Sequence, residues 1–481
     1  MTEKIHLKQP PVFQLAFLTA MFERYGFYVL TFLLVLFSKE VYNLTDIQAF
    51  TLVGIFNGLA FLTPAIGGYL ADNIFGIRRC LILGMFLEGT GLISLFFHAK
   101  IFFWLGLSLL VIGVGLFKTA PTNLLGRSYK ENDPRIDSGF TLFYMAMNIG
   151  GFIAPIAGGI LQRYYGWHFP FLIAGIAVYV GILCYFLLKK SARLYESVPG
   201  KRKLPATIWL AVISGLIVSI ACCVFLLTHT ITADVFFVVA ALGFVSYFIY
   251  EITKSTKEDK YRIIACLLLI FIGMVFFILY FQAFTSMTLF IKRVMNHVIF
   301  GIDVPPVIFL SLDCFWVVIL GPILAIIYNF LIKHHRDLAV TSKFALGLLI
   351  ISLCFFILKI STLTVIGDAK INPIWIILTF FLFALGELLV SALGIAMITR
   401  IAPKRMYGVM MGSWFLIAAT LGATISGLLA GIANVPQTVH DTHAIITIYG
   451  SAFFHIGLIG LSITLVVFFI GPYIKRMANF S

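Results

Sequence analysis

Charged residues are scarce in this sequence. Only 11% of its 481 residues are Asp, Glu, Lys or Arg, whereas hydrophobic residues make up 61%. A soluble globular protein carries roughly 25% charged residues, so the composition excludes most soluble enzymes and soluble binding modules. The mean hydropathy of +1.05 and the 49 phenylalanines indicate a polytopic membrane protein.

The sequence also lacks the motifs of several catalytic and metal-binding classes. Its seven cysteines form no CxxC pair and no Cys/His metal spacing, so we interpret them as small core residues. No Walker loop is present, and no pair of spans carries a Ser/His, Asp/Asp or HExxH arrangement. An enzyme or an ATP-driven pump is therefore not expected. The N-terminus shows no cleavage site typical of a signal peptide, so we expect its first span to be retained.

The sequence is rich in apolar segments long enough to cross a membrane. A spanning helix needs about 20 mainly apolar residues, and fourteen segments meet that requirement. The predicted spans are 13–37, 47–71, 79–98, 101–122, 140–162, 168–188, 205–228, 232–251, 262–291, 306–332, 342–361, 372–399, 407–433 and 444–474.

The lysines and arginines are unevenly distributed between the loops that join these spans. When the loops are taken alternately, one set contains 25 Lys and Arg residues and the other contains 7. Because positively charged loops stay in the cytoplasm, this asymmetry places both termini there. The net charge of +14 then reflects membrane topology, and a nucleic-acid partner is not expected.

Two long polar stretches, 189–204 and 252–261, bracket two plain apolar spans. The sequence therefore predicts an all-α membrane protein with 6 + 2 + 6 transmembrane helices. We assign 1–190 to an N-terminal six-helix bundle, 191–261 to linkers and a two-helix insert, and 262–481 to a C-terminal six-helix bundle. Two six-helix halves around a central path are typical of secondary transporters.

Six ionisable residues lie deep inside predicted spans. Each is costly there unless it is paired or faces water, so each is a functional candidate. Their formal charges sum to −2, which favours protonated acids or a substrate with an ammonium group. The plainer alternative is a set of structural ion pairs that hold helices together. The six are Glu23, Arg24, Glu88, Lys118, Asp313 and Glu387.

Arg24 is the best candidate to bind an anion, because its guanidinium suits a carboxylate or a phosphate. Lys118 is a point charge that can hold or release an acidic partner. Glu23 precedes Arg24, so we expect its side chain to point about 100° away on the same helix. Arg24 and Tyr28 are expected to stack at i,i+4.

A short polar segment joins the second and third spans. Its glycines, Gly68 and Gly76, permit close approach of helices. We expect Asp72 to form a charge relay with Arg78 and Arg79 at the cytoplasmic surface, and the segment to act as a conformational loop.

This segment resembles the signature loop of the major facilitator superfamily. The chain as a whole resembles the proton-dependent oligopeptide transporter family, in its bacterial form with a two-helix insert. The segments that carry the resemblance are Phe22-Glu-Arg-Tyr-Gly-Phe-Tyr28, Gly115-Leu-Phe-Lys118, Glu131-Asn-Asp-Pro-Arg135, Phe140-Thr-Leu-Phe-Tyr-Met-Ala-Met-Asn-Ile-Gly150, Gly386-Glu-Leu388 and Met411-Gly-Ser-Trp-Phe415.

The resemblance implies a major facilitator fold and a secondary active symporter. It would import di- and tripeptides, or peptide-like zwitterions, together with protons by alternating access. Protons would be its coupling ion, and no other cofactor is implied. The expected partners are the substrate, protons and the lipid bilayer of the cell inner membrane, with a monomer as the expected state.

The resemblance also implies roles for single residues. Arg24 and Lys118 would meet the peptide carboxylate, and Asn148 and Glu387 would meet the amino group. Tyr28 and Trp414 would line the pocket, and protonation of Glu23 would release Lys118 to the substrate. The proton-coupling candidates are Glu23, Lys118, Glu88, Asp313 and Glu387.

Several positions depart from the family pattern, and three of them concern the ionisable residues. Ala20 stands where the family has the first of two span-one glutamates, and Asp313 stands where an asparagine is frequent. Asp313 is either a relocated proton site or part of a site for a more cationic substrate. Glu88, which has no family counterpart, is a further proton-site candidate, and a hydrogen bond to a neighbouring helix is the alternative.

Other functions therefore stay open at this point. The main alternative is a transporter of the same fold with a more cationic small-molecule substrate and altered or absent proton coupling. A proton-antiporting exporter fits the motifs less well. A membrane receptor would need a soluble domain, and the longest loop has about 16 residues.

Overall fold

The chain is almost entirely helical in the computed structural model, which describes residues 8–130, 133, 135–334, 339–365 and 369–478. A two-stranded antiparallel hairpin, β1 (Val298–Ile299) and β2 (Ile302–Asp303), is the sheet in this part of the chain. The helices are α1 (Val12–Tyr42), α2 (Asp46–Tyr69), α3 (Ile77–Ser94), α4 (Lys100–Phe117), α5 (Ala120–Gly126), α6 (Ile136–Tyr165), α7 (Phe169–Arg193), α8 (Val198–Lys201), α9 (Ala206–Thr228), α10 (Thr230–Lys254), α11 (Lys257–Tyr280), α12 (Ser286–Val294), α13 (Ser311–Lys333), α14 (Val340–Leu363), α15 (Ile374–Ile401), α16 (Tyr407–Ser413), α17 (Gly422–Ala430) and α18 (Thr442–Ala478).

Each of the fourteen predicted spans corresponds to helix, so the predicted fold class is confirmed. Within the described residues, thirteen helical segments are long and apolar enough to cross a membrane. The fourteenth span is α3, whose 18 residues include Arg78, Arg79 and Glu88. The alternation of basic loops requires α3 to cross as well, because its omission would place every later loop on the opposite side of the membrane.

Several spans contain a break that their hydropathy did not predict. The span predicted at 262–291 stops at Tyr280, passes through a 3₁₀ turn at Phe281–Phe284, and resumes as α12. The buried Gln282 amide donates to Ser426 (2.9 Å to the carbonyl and 3.0 Å to Oγ). A polar contact with a distant helix therefore lies at the break, and its partner cannot be read from the local sequence.

Two π-helical turns lie at segments that the sequence singled out. One, Leu70–Ile74, follows α2 and contains Asp72, and the other, Trp414–Leu421, begins at Trp414. Such turns are rare and occur often at functional sites.

The helices group into two compact units. Unit one comprises residues 1–30 and 62–228, and unit two comprises residues 31–61 and 229–481. The first helix of the predicted insert, α9, belongs to unit one, and the second, α10, belongs to unit two. Which segments move as rigid bodies during transport stays a prediction from the sequence.

Glycines bring helix backbones of unit one into direct contact. A Cβ on Gly67 of α2 would lie 1.9 Å from the carbonyl oxygen of Gly115 on α4. A Cβ on Gly150 of α6 would lie 2.4 Å from the carbonyl oxygen of Met21 on α1. These close approaches hold α2 against α4 and α6 against α1.

Candidate functional site

Glu23 and Arg24 form a buried ion pair on α1. Arg24 Nε donates to Glu23 Oε2 at 2.5 Å, and Arg24 Nη2 donates to Glu23 Oε1. Glu23 is 0% exposed and Arg24 is 8% exposed. The expectation that the two side chains point apart is therefore wrong, because rotation of the long side chains overcomes the angle between the two Cα–Cβ bonds.

The Arg24 guanidinium also lies over two aromatic rings of the same helix. Its carbon is 4.7 Å from the Phe27 ring centroid and 5.9 Å from that of Tyr28. The predicted i,i+4 contact with Tyr28 is present, and the closer contact is with Phe27. A guanidinium held by a carboxylate and by aromatic faces is restricted in its orientation.

Lys118 lies at the junction between α4 and α5, half-buried, where the helix is interrupted. The charges that act on its ammonium group are those of Arg24 and Glu23. The contact between Gly67 and Gly115 holds the end of α4 against α2 one turn before Lys118. The structure thus brings Glu23, Arg24 and Lys118 into one cluster, as the sequence predicted.

Glu88 of α3 belongs to the same cluster. It is 0% exposed, and the charges that act on it are those of Glu23 and Arg24. Neither of its carboxyl oxygens has a hydrogen-bond partner among the described residues. The alternative of a hydrogen bond to a neighbouring helix stays open, because the carboxyl group of Glu23 on α1 lies close enough to act on Glu88.

Ala20 lies on α1 in an apolar environment. It is buried with Ala16, Leu125 and Phe143. An acid at this position would have apolar neighbours.

Asn148 is placed on α6 beside the close contact that Gly150 makes with α1. Its side-chain amide donates to the Tyr144 carbonyl at 2.9 Å, and the residue is half-buried. Its part in recognising an amino group stays a prediction.

In unit two, Asp313 and Glu387 meet at one tyrosine. Tyr280 donates to Asp313 Oδ2 at 3.3 Å, and Glu387 lies next to both residues. Asp313 is 6% exposed, and its other oxygen, Oδ1, has no hydrogen-bond partner among the described residues. The proximity of the two acids, on which both interpretations of Asp313 depend, is therefore present.

Tyr280 is the residue that sequence reasoning missed. Its ring stacks on Phe383 at 5.0 Å between centroids and 23° between planes, and further phenylalanines surround it. Its span contains no acid, so a search for buried charge passes over this hydroxyl. The signal available was a single hydroxyl in the aromatic run Phe276-Phe-Ile-Leu-Tyr-Phe281.

Trp414 is 2% exposed and packs inside unit two. A Cβ on Gly394 would lie 2.1 Å from its indole, and a Cβ on Gly273 would lie 2.6 Å away. The ring also meets Phe277 edge-on at 6.0 Å. In this structure the indole fills a notch between two glycines, and its contact with substrate stays a prediction.

The charges of the loop after α2 have partners other than those expected. Asp72 pairs with Arg127 at 3.1 Å, whereas Arg78 pairs with the buried carboxylate of Glu196. Arg79 donates to the carbonyls of Phe75 (2.8 Å) and Arg202 (2.7 Å). The expected relay from Asp72 to Arg78 and Arg79 is therefore not the arrangement in this structure, because Glu196, 118 residues away, takes Arg78.

The motif at 131–135 lies partly outside the described residues. Within it, Arg135 Nη2 donates to Asp133 Oδ2 at 2.8 Å. The hydrogen bonds from Arg135 lower the pKa of Asp133 to about 2. The pair therefore stays charged throughout the neutral and mildly acidic range.

The helical fold and the ionisable clusters buried within it define a multi-pass membrane transporter. A model described as the POT family matches residues 71–448. Because the match covers most of the sequence, the chain belongs to the POT family. The family and the relatives below are transporters and not enzymes, and no cofactor is indicated for them.

Two curated proteins and one solved structure illustrate the similarity. Dipeptide and tripeptide permease A of Chromobacterium violaceum is 32% identical over 98% of this chain and 95% of its own length. Dipeptide and tripeptide permease B of Yersinia enterocolitica is 33% identical over 99% and 97%. A crystal structure of tetrameric PepTSo2 has a TM-score of 0.87 and 27% identity, and the match covers 97% of this chain and 99% of that one.

Proposed function

We propose that this chain is a proton-coupled symporter of the cell inner membrane that imports di- and tripeptides or peptide-like zwitterions. The curated permeases support the substrate class, since they match the chain over nearly its full length. The proposed substrate-binding residues are Arg24, Tyr28, Lys118, Asn148, Asp313, Glu387 and Trp414. The proposed proton-coupling residues are Glu23, Lys118, Glu88, Asp313 and Glu387.

The observation that carries this proposal is the distribution of buried ionisable groups over the two units, since buried cations occur with acids in unit one and a pair of acids occurs in unit two. The deep cations, Arg24 and Lys118, belong to unit one, and the two acids next to Tyr280 belong to unit two. A zwitterion needs both: cations for its carboxylate and an acid for its amino group.

A more cationic substrate is the second candidate. Asp313 and Glu387 lie together, and Asp313 Oδ1 accepts no hydrogen bond from a described residue. Two acids can bind a second ammonium group, or one of them can carry the coupling proton. Both arrangements keep the transporter fold and differ in the substrate that is accepted.

Transport would proceed by alternating access, with bundles 1–190 and 262–481 rocking about the substrate and the insert at 191–261 joining them. The conformational loop would comprise Gly68, Asp72, Gly76, Arg78 and Arg79. Its ion pairs, Asp72 with Arg127 and Arg78 with Glu196, would break and reform in the cycle. We expect a monomer to be sufficient for this cycle, although the similar PepTSo2 has been crystallised as a tetramer.

Thermal stabilisation of the purified protein tests the substrate class. Ligands that bind the folded state raise its melting temperature. We expect di- and tripeptides to raise it at pH 5.5 and pH 7.5, and single amino acids and polyamines to leave it unchanged. Stabilisation by cationic non-peptides alone would overturn the peptide assignment and support the second candidate.

A further inference from the structure

The four deep ionisable residues of unit one form a neutral set when all are charged. Glu23 and Glu88 contribute two negative charges, and Arg24 and Lys118 contribute two positive ones. Balanced charge is what a buried cluster requires, because an uncompensated charge is costly in a low-dielectric interior. A substrate carboxylate that joins this set adds one negative charge, and one proton restores the balance.

The two acids of the set differ in how their oxygens are bound. Both oxygens of Glu23 accept hydrogen bonds from the Arg24 guanidinium. Neither oxygen of Glu88 has a partner among the described residues, although Glu88 is fully buried. A buried carboxylate without hydrogen bonds is far less stable than one bound by a guanidinium, so a proton goes to Glu88 first.

The helices around Glu88 leave room for this carboxyl group and supply few charges. A Cβ on Gly113 of α4 would lie 2.6 Å from Glu88 Cγ, so the glycine makes the space that Glu88 fills. From α1 the facing charges are Glu23 and Arg24, with Lys118 acting on that pair from the end of α4. From α7 the neighbouring titratable group is Tyr179, whose hydroxyl lies 2.8 Å from Thr90 Oγ1 and whose ring packs at Gly89.

We propose that Glu88 is the proton-binding residue of the carboxylate site, and that its protonation raises the affinity of Arg24 and Lys118 for the carboxylate of the peptide. This inference rests on the proposed function and assigns the coupling proton of unit one to α3 and not to Glu23. The neutral Glu88 leaves the set with a net positive charge, which attracts the carboxylate. Loss of the proton toward the cytoplasm leaves the set with the bound carboxylate one negative charge in excess, which lowers the affinity.

The Glu88→Gln variant mimics the protonated acid and tests the assignment. We expect its dissociation constant for dialanine to be the same at pH 5.5 and pH 7.5 and equal to the wild-type value at pH 5.5. In proteoliposomes it should keep dialanine counterflow exchange and lose at least tenfold in accumulation driven by a proton gradient. Glu258→Gln, at an exposed acid of α11, should match the wild type in every assay.

Three results would overturn the assignment. The first is a Glu88→Gln variant that keeps wild-type pH dependence and accumulation, and the second is a folded variant that binds no dipeptide at either pH. If Glu88→Gln does not fold, the Glu88→Asp variant is used in its place. The third contradicting result is then a pH midpoint of dialanine binding that is the same in Glu88→Asp as in the wild type. Failure of the wild type to bind or exchange any dipeptide would instead refute the proposed function.

Discussion

Tyr280 donates a hydrogen bond to Asp313 Oδ2 at 3.3 Å, in the aromatic environment that Phe383 and its neighbours form. Glu387 lies against the same hydroxyl. One donor therefore serves two acids that would repel each other if both were ionised. We therefore expect the tyrosine hydroxyl to influence how the two carboxyl groups share charge.

Removal of that hydroxyl should impair transport without loosening the fold. Tyr280→Phe keeps the ring and its stacking on Phe383 but leaves Asp313 without this donor. A hydrogen bond to a charged group contributes about 1.5–3 kcal/mol, so we expect kcat/KM for dipeptide uptake to fall about tenfold or more. The same loss should lower the melting temperature by only a few degrees, because the ring keeps its stacking on Phe383. Tyr473→Phe, at an exposed position, is the matched control, and equal uptake by the two variants would contradict the role of Tyr280.

The Asp313→Asn variant separates the two roles open to Asp313. If Asp313 is a proton site, the variant loses the rise in uptake between pH 7.5 and pH 5.5. If it recognises a second cationic group, the pH profile stays and lysine-containing dipeptides lose their advantage over dialanine. Asp303→Asn, in the exposed hairpin, should change neither property, and an Asp313→Asn variant identical to it would exclude both roles.

The pair of Asp133 and Arg135 should not affect this pH measurement. Hydrogen bonds from Arg135 hold the pKa of Asp133 at about 2. A lowered pKa gives a contribution that is present above the ordinary aspartate pKa and is lost only as the pH falls toward 2. Between pH 5.5 and pH 7.5 the pair is unchanged, so Asp133→Asn should leave the pH profile of uptake in place.

Arg24 should not be replaceable by lysine. Lysine keeps the charge but cannot donate two parallel hydrogen bonds to Glu23 or stack flat on Phe27. We expect Arg24→Lys to raise KM for dipeptides at least tenfold at both pH values. Arg202→Lys, at an exposed loop position, provides the control. Wild-type kinetics in Arg24→Lys would mean that a point charge suffices at this position.

A network inside unit two joins the end of α1 and the start of α2 to α12. Asp46 is buried and accepts from Arg293 Nη1 at 2.6 Å and Nη2 at 2.8 Å, and it also pairs with Lys39. The backbone amide of Val435 donates to it at 3.2 Å. Arg293 in turn donates to Tyr449 at 2.9 Å. The Asp46 carboxylate therefore bonds to groups from three separate segments of the chain.

Asp46→Asn should destabilise the protein measurably. Breaking a buried ion pair costs about 3–5 kcal/mol, and we expect the low end because Arg293 keeps contact with water. Glu40→Gln is the matched comparison, since the neighbouring pair of Glu40 and Lys292 is more exposed. Exposed pairs contribute about 0–1 kcal/mol. An equal decrease in melting temperature in the two variants would contradict the larger contribution of Asp46 to stability.

The helices could be predicted because their cause is local. A run of apolar residues and the alternation of basic loops depend on neighbours in sequence, and these two signals predict all fourteen spans. The breaks could not be predicted, because the interruption before α12 lies where Gln282 contacts Ser426, 144 residues away. A contact over that separation leaves no periodic signal.

The candidate site could likewise be predicted only in part. The residue types Arg24, Lys118 and Glu387 were recognisable because charge inside an apolar span is conspicuous. Their pairing was not, since Glu23 turns back onto Arg24 by side-chain rotation and Glu196 reaches Arg78 from a distant segment. Tyr280 was not predicted as a site residue, because one tyrosine does not stand out in a sequence with 19 tyrosines.

Uptake of radiolabelled dialanine into proteoliposomes that contain the purified protein tests the central claim most directly. The outside is held at pH 5.5 and the inside at pH 7.5. Proton-coupled symport predicts accumulation of dialanine above its outside concentration, and collapse to equality when a protonophore dissipates the gradient. Equilibration to the outside concentration with and without the gradient would contradict the account.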